Sequence, residues 1–284
     1  MAERFIDTHI HVWNFDKAYY LWLEGNTTIL NRTYNIEELE EERKKAGVTG
    51  GVLVQAANNF EDTDWMLEVA EKTDWIKGVV GWLPLLQPKE TEKALQQKYA
   101  KHSYFKGIRH LIHDEPDSKW LLQEEVIESL KILAQYNLPF DVVGVLPAHI
   151  ESALKVAEKI PSLKMVFDHL NQPPIATKEK FGQWGERMKQ AANHPNFYAK
   201  ISGLGTTSQK GENWTEDDIK PYVEFALEYF SEDRCFCGGD WPVSLLAGSY
   251  SATIGKFRSV LDSLLNEEQR EKVYFENATK FYQL

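Results

Sequence analysis

Cysteine is scarce: two residues, Cys235 and Cys237, in a chain of 284. Separated by a single residue in an apolar run, they are poorly placed to build a disulfide framework and read as buried thiols. Positive charge is also short, with 32 lysines and arginines against 43 aspartates and glutamates and a formal net charge of −11. A surface of that sign repels phosphate backbones and anionic lipid at long range, so neither nucleic acid nor a membrane is an expected partner. An anionic small molecule is not excluded, because a local arginine or histidine cluster can outweigh a distant field. No run approaches the length of a membrane span, and "MAERFIDTHIHVW" lacks a basic region followed by a signal-length apolar stretch. A cytoplasmic enzyme fits these absences. No glycine-rich phosphate loop follows the first apolar run, and no linker rich in proline or serine interrupts the chain.

What is present is a hydrophobic share of 43% with 12% aromatics, enough for a sizeable core. Eight short apolar runs bounded by turn signals read as strands: 5–13, 50–57, 76–84, 105–112, 139–145, 164–170, 197–204 and 234–241. Between them lie helix-spaced segments such as 35–47, 63–73, 124–137 and 147–160. Strand and helix taking turns eight times predicts a (β/α)8 TIM-like barrel over an open sheet, with residues 1–284 as one domain. The long connections 14–34 and 205–214 follow the first and seventh strands. They fall at the C-terminal mouth, where such barrels keep their sites, and are candidate lids or specificity loops.

In "RFIDTHIHVW", alternation puts Ile6, Thr8, Ile10 and Val12 on the helix-facing side and points Asp7, His9 and His11 into the barrel. Two imidazoles two residues apart can ligate a divalent cation or bond a substrate oxygen; hydrogen-bonded interior histidines are the plainer alternative. Other strand ends offer Arg109, His169, Lys200 and Asp240. Polar groups at several strand ends of one barrel converge on one cavity, and burying them without a partner or a use would cost several kcal/mol each. Asp240 follows two glycines and precedes Trp-Pro, so it is a candidate base, with a turn cap as the alternative. His102, His110, His149 and His194 read as surface or packing residues, and His113 in "HDEPD" as part of a solvated loop.

"IDTHIHVW", "FKGIRH" with "DEPD", "MVFDHLNQPP", "HPNFYAKISGL", "CFCGGDWPV" and "ENATKFYQL" together resemble the amidohydrolase-related family, in its sugar-lactonase-like branch. That branch includes hydrolases of L-fucono- and L-rhamnono-lactones. The resemblance implies a barrel of amidohydrolase type with His9, His11, Arg109, His169 and Asp240 around the substrate. Binuclear members carry a lysine or glutamate late in the fourth strand and a histidine in the fifth, where this chain shows "GIRH" and "PFDVVGV". A binuclear centre is therefore not expected. His9, His11, His169 and Asp240 could hold one zinc, but the branch implies no obligatory metal.

On this reading the expected activity is hydrolysis of an aldonolactone, with Asp240 as general base and His9, His11 and His169 beside it. Arg109, Asp141 and Lys200 are candidate substrate contacts, the last two with ion pairing as the alternative. Trp13, Trp82 and Trp241 are candidate stacking platforms for a sugar ring. The competing readings are a mononuclear zinc decarboxylase of an aromatic acid, another ester or amide hydrolase, and a barrel that only binds sugar acids. The expected partner is a small sugar lactone or sugar acid, with the chain acting as monomer or homodimer.

Overall fold

The computed structural model describes residues 4–284. One sheet holds eight parallel strands in chain order: β1 Ile6–Ile10, β2 Gly50–Val54, β3 Ile76–Gly81, β4 Phe105–His110, β5 Phe140–Val142, β6 Met165–Phe167, β7 Phe197–Ile201 and β8 Cys235–Cys237. Helices cover the crossovers, among them Phe60–Lys72, Glu124–Gln135, Pro147–Lys159, Glu216–Phe230 and Tyr250–Leu264. The (β/α)8 barrel expected from the alternation is the fold. Local chemistry starts these helices: the Asn59 side chain accepts from the Asp62 N–H, and Pro147 occupies a first turn where its missing N–H costs nothing. Among the described residues, no helix is long and apolar enough to cross a membrane.

The barrel closes between β1 and the segment after β8. Asp240 N–H donates to His9 O at 2.7 Å, and His11 N–H donates to Trp241 O at 2.7 Å. Gly238 and Gly239 make this close approach possible. A Cβ on Gly238 would lie 2.5 Å from His9 Cβ, and one on Gly239 would lie 2.4 Å from the Tyr250 ring. The closing hydrogen bonds thus set Asp240 beside both histidines by backbone register alone.

The register of β1 against β2 shifts between Asp7 and Ile10. Strict alternation fails there, and the expectation for Asp7 is corrected. Ile6 joins an inner cluster with Val52, Val80, Val166 and Phe236 from four other strands. Asp7, one residue on, turns away and accepts from Gly239 N–H (2.7 Å), His9 N–H (2.9 Å) and Tyr250 O–H (2.7 Å). It latches β1 to β8 and to helix Tyr250–Leu264. A bulge moves parity by one residue, which is why His9 and His11 still reach the interior while Asp7 does not. Phe281 and Tyr282, from the C-terminal helix Asn277–Tyr282, complete the inner cluster.

Candidate active site

At the C-terminal end of the strands lies a cavity of about 600 Å³. His11, Arg109, His169 and Asp240 form its polar floor. The Asp240 carboxylate Oδ1 lies 3.5 Å from His11 Nε2, 3.7 Å from His9 Nε2 and 3.9 Å from His169 Nε2. Asp240 and His169 both sit at positive φ, 58° and 53°, and the left-handed run continues through Leu170, Asn171 and Gln172. Such backbone is costly for residues other than glycine and here aims both side chains into the cavity.

Hydrogen bonds assign the ring nitrogens. His11 Nδ1 bonds Val54 O at 2.7 Å, so that nitrogen carries a proton and Nε2 is turned toward Asp240. Ser202 Oγ accepts from the His169 backbone N–H and lies 2.8 Å from His169 Nδ1, a hydrogen bond that fixes the ring with Nε2 toward Asp240. His9 Nδ1 faces Asp168 Oδ1 at 3.4 Å, while its Nε2 accepts from Arg109 Nη1–H at 3.1 Å. Burial pulls the His9 imidazolium well below its usual range and lowers His169 as well, so both rings are neutral near pH 7.

Arg109 is largely committed to the protein. Its Nη1 also meets Asp168 Oδ2 at 3.1 Å, its Nε donates to the Gln55 side chain at 3.3 Å, and its Nη2 donates to the Gln55 carbonyl. Of five guanidinium N–H groups, four are engaged by these partners and His9, and Arg109 also lines the cavity. Lys200 and Asp141 lie beneath His9, fully buried, and do not line the cavity. Lys200 Nζ bridges Asp141 at 2.7 Å and Asp168 at 2.8 Å, and Tyr282 O–H donates to Asp141 at 2.7 Å. Expected substrate contacts, these two residues instead form an ion pair, the other role open to them. Burial alone would raise Asp168, but Lys200, His9 and Arg109 outweigh it and hold the carboxyl well below its usual value. Asp168 is an organising residue that the strand-end reading passed over; its place directly before His169 in "FDHL" was the available signal.

The three expected tryptophan platforms also lie elsewhere. Trp13 is buried and donates to Arg32 O, Trp82 donates to His110 Nδ1, and Trp241 packs edge-on against Tyr34. None of the three is among the residues that line the cavity. Trp22, from the 14–34 connection, lines the cavity in their place. His113 is corrected as well: from its turn after β4 it lines the cavity next to Asp114. His110 is a packing residue, stacked on Trp120 at 4.0 Å and bonded to Glu115 at 2.7 Å. Thr206, Thr207 and Gln209 after β7, with Gln172 and Thr177 after β6, give the cavity a wall of hydroxyls and amides.

His9, His11 and Asp240 bring two imidazole nitrogens and a carboxylate oxygen within 4.8 Å of one another, a donor set that fits one divalent ion. Their outer partners fit too, since Val54 O orients His11 and Asp168 orients His9 as ligand-bearing imidazoles require. His169, read from the sequence as one that could be a fourth ligand, falls outside that group.

The amidohydrolase family model matches residues 6–284. This chain belongs to the amidohydrolase family. It is 31% identical over 283 residues to the L-fucono-1,5-lactonase of Burkholderia ambifaria, covering 98% of this chain and 95% of that one. To the L-rhamnono-gamma-lactonase of Scheffersomyces stipitis it is 22% identical, with 99% of each covered. The crystal structure of a Burkholderia multivorans amidohydrolase with bound zinc superimposes with a TM-score of 0.90 at 25% identity, covering 99% of both chains.

Proposed function

We propose that this amidohydrolase opens a neutral sugar lactone by water attack on the ester carbonyl, with Asp240 as general base. Hydrolysis of an ester bond follows from the family and its lactonase-named relatives. The observation that carries the finer reading is the Asp240 carboxylate set among three imidazoles on the floor of a cavity walled with threonine and glutamine side chains. Arg109 is the one permanent cation among the described lining residues, and Asp168 already neutralises it. With Asp114 and Asp240 also lining the space, the cavity suits an uncharged polyol ring better than the carboxylate of an aromatic acid.

In this mechanism, water bonds the Asp240 carboxylate and the lone pair of His11 Nε2. Asp240 takes the water proton as the oxygen attacks the carbonyl carbon. His169 Nε2–H and the spare Arg109 N–H stabilise the oxyanion. When the carbon–oxygen ring bond breaks, Asp240 returns its proton to the leaving ring oxygen, which becomes a hydroxyl, and the product is a hydroxy acid. His9, its two nitrogens engaged by Arg109 and Asp168, positions Arg109. Trp22, His113, Thr206 and Gln209 contact the ring substituents. A divalent ion held by His9, His11 and Asp240 would polarise the carbonyl and acidify its water.

The test is acid release from a panel of neutral aldono-1,4- and 1,5-lactones, followed by a pH indicator against a no-enzyme blank, with and without chelator. The expected result is turnover that drops at least about 10³-fold in Asp240→Asn. Folded protein that opens none of these lactones, metal-replete or not, overturns the substrate reading. An Asp240→Asn variant as fast as the parent overturns the base.

A further inference from the structure

We propose that Arg109 acts as a built-in competitor for the metal site, so that its guanidinium sets how tightly His9, His11 and Asp240 hold a divalent ion. A histidine nitrogen offers one lone pair. His9 Nε2, one of the three candidate ligand atoms, spends that pair on Arg109 Nη1–H at 3.1 Å. A zinc ion on the same nitrogen would lie about 2.1 Å away along the direction the N–H already occupies. Either the proton donor or the ion uses the pair.

Arg109 cannot step aside freely. Asp168 anchors Nη1, and the side chain and carbonyl of Gln55 anchor Nε and Nη2, all inside the barrel where Arg109 is 3% exposed. Nor can it lose its charge by deprotonation, since guanidinium stays protonated in proteins. An ion entering the site therefore meets both an occupied ligand and a fixed like charge. Around the other atoms, His11 Nδ1 is held by Val54 O, which turns His11 Nε2 toward Asp240, and His9 Nδ1 faces Asp168 Oδ1 at 3.4 Å, with the Lys200 ammonium, itself paired to Asp141 and Asp168, at 3.3 Å. The site is thus ligand-complete and held back by one residue. This inference is independent of which ester the cavity takes.

The experiment measures zinc affinity, with no substrate present. Chelator-stripped parent, Arg109→Met and Arg109→Lys are each titrated in competition with a chromophoric zinc chelator, and folding is checked by circular dichroism and melting. The expected result is zinc bound at least tenfold tighter by Arg109→Met. Arg109→Lys, which keeps the charge but loses the planar fork, should give a smaller gain. Adding Asp240→Asn to Arg109→Met should abolish the gain, placing the ion at this site. Equal or weaker zinc affinity in the folded variants overturns the proposal, and so does a gain that survives Asp240→Asn. If Arg109→Met fails to fold, Arg109→Lys carries the test alone.

Discussion

The barrel interior has two ends built on the same strands. At the N-terminal end, Ile6, Val52, Val80, Val166 and Phe236 meet Phe281 and Tyr282 in a layer made almost wholly of hydrocarbon. At the C-terminal end, His9, His11, Arg109, Asp168, His169 and Asp240 crowd together, buried and polar. A step of a few residues along one strand separates them, as from Ile6 to His9 on β1. The lower layer contributes stability through apolar burial, whereas the upper one requires a partner for every polar group and gains function from the groups left partly free. Lys200 and Asp141 form the seam between the two, a salt bridge with Tyr282 bonded to it from below and His9 resting on it from above.

The comparison breaks most sharply at Asp240. Asp240→Asn should cut kcat at least about 10³-fold while leaving the melting temperature within a few degrees, because its side chain holds no element together. At the seam the effect should be on folding. Lys200→Met leaves Asp141 and Asp168 without their shared cation and should cost about 3–5 kcal/mol in urea unfolding. Adding Asp141→Asn should recover part of that loss. In the lower layer, Phe236→Ala should cost about 3–4 kcal/mol with KM unchanged for the folded fraction, since the ring touches only Tyr198, Phe281 and Tyr282 among aromatic neighbours.

The smallest effect is a pH dependence at the mouth. Asp62 ties the 14–34 connection to β2 by accepting from Tyr20 O–H and from the Ala56 and Ala57 N–H groups. Burial pushes its carboxyl up to about 6, from 3.8 for an ordinary aspartate. A proton held more tightly in the fold stabilises it below about pH 4, and that contribution is lost as the pH rises through about 6. Asp62→Asn does not titrate. Its stability deficit relative to the parent should therefore shrink by up to about 3 kcal/mol between pH 4 and pH 7, measured by urea unfolding at each pH. A deficit that stays constant or grows removes the assigned shift.

The eight strands were legible because each is a short β-branched run bounded by turn residues, and their alternation with helices named the barrel. Asp240, His9, His11, His169 and Arg109 were legible because a polar residue at the end of an apolar barrel strand has few other uses. Asp7 misled, because one register shift between Asp7 and Ile10 reverses parity and nothing in "IDTHI" announces it. Trp13, Trp82 and Trp241 misled for another reason: a tryptophan near a strand end packs equally well into the wall or the cavity, and only the tertiary packing around the ring decides which. Trp22 and His113 escaped because their connections have no periodicity to read.

The amino-acid sequence by itself determined the strand and helix order and the set of side chains at the C-terminal ends of the strands. These depend on local apolar spacing, turn chemistry and chain order, all written residue by residue. Only the tertiary structure decided the pairings: Asp240 between two histidines through the β1–β8 closure, Lys200 between Asp141 and Asp168, and Arg109 on the lone pair of His9. Each joins strands far apart in the chain. Which nitrogen meets which oxygen follows from barrel register and burial, which exist only once all eight strands have closed.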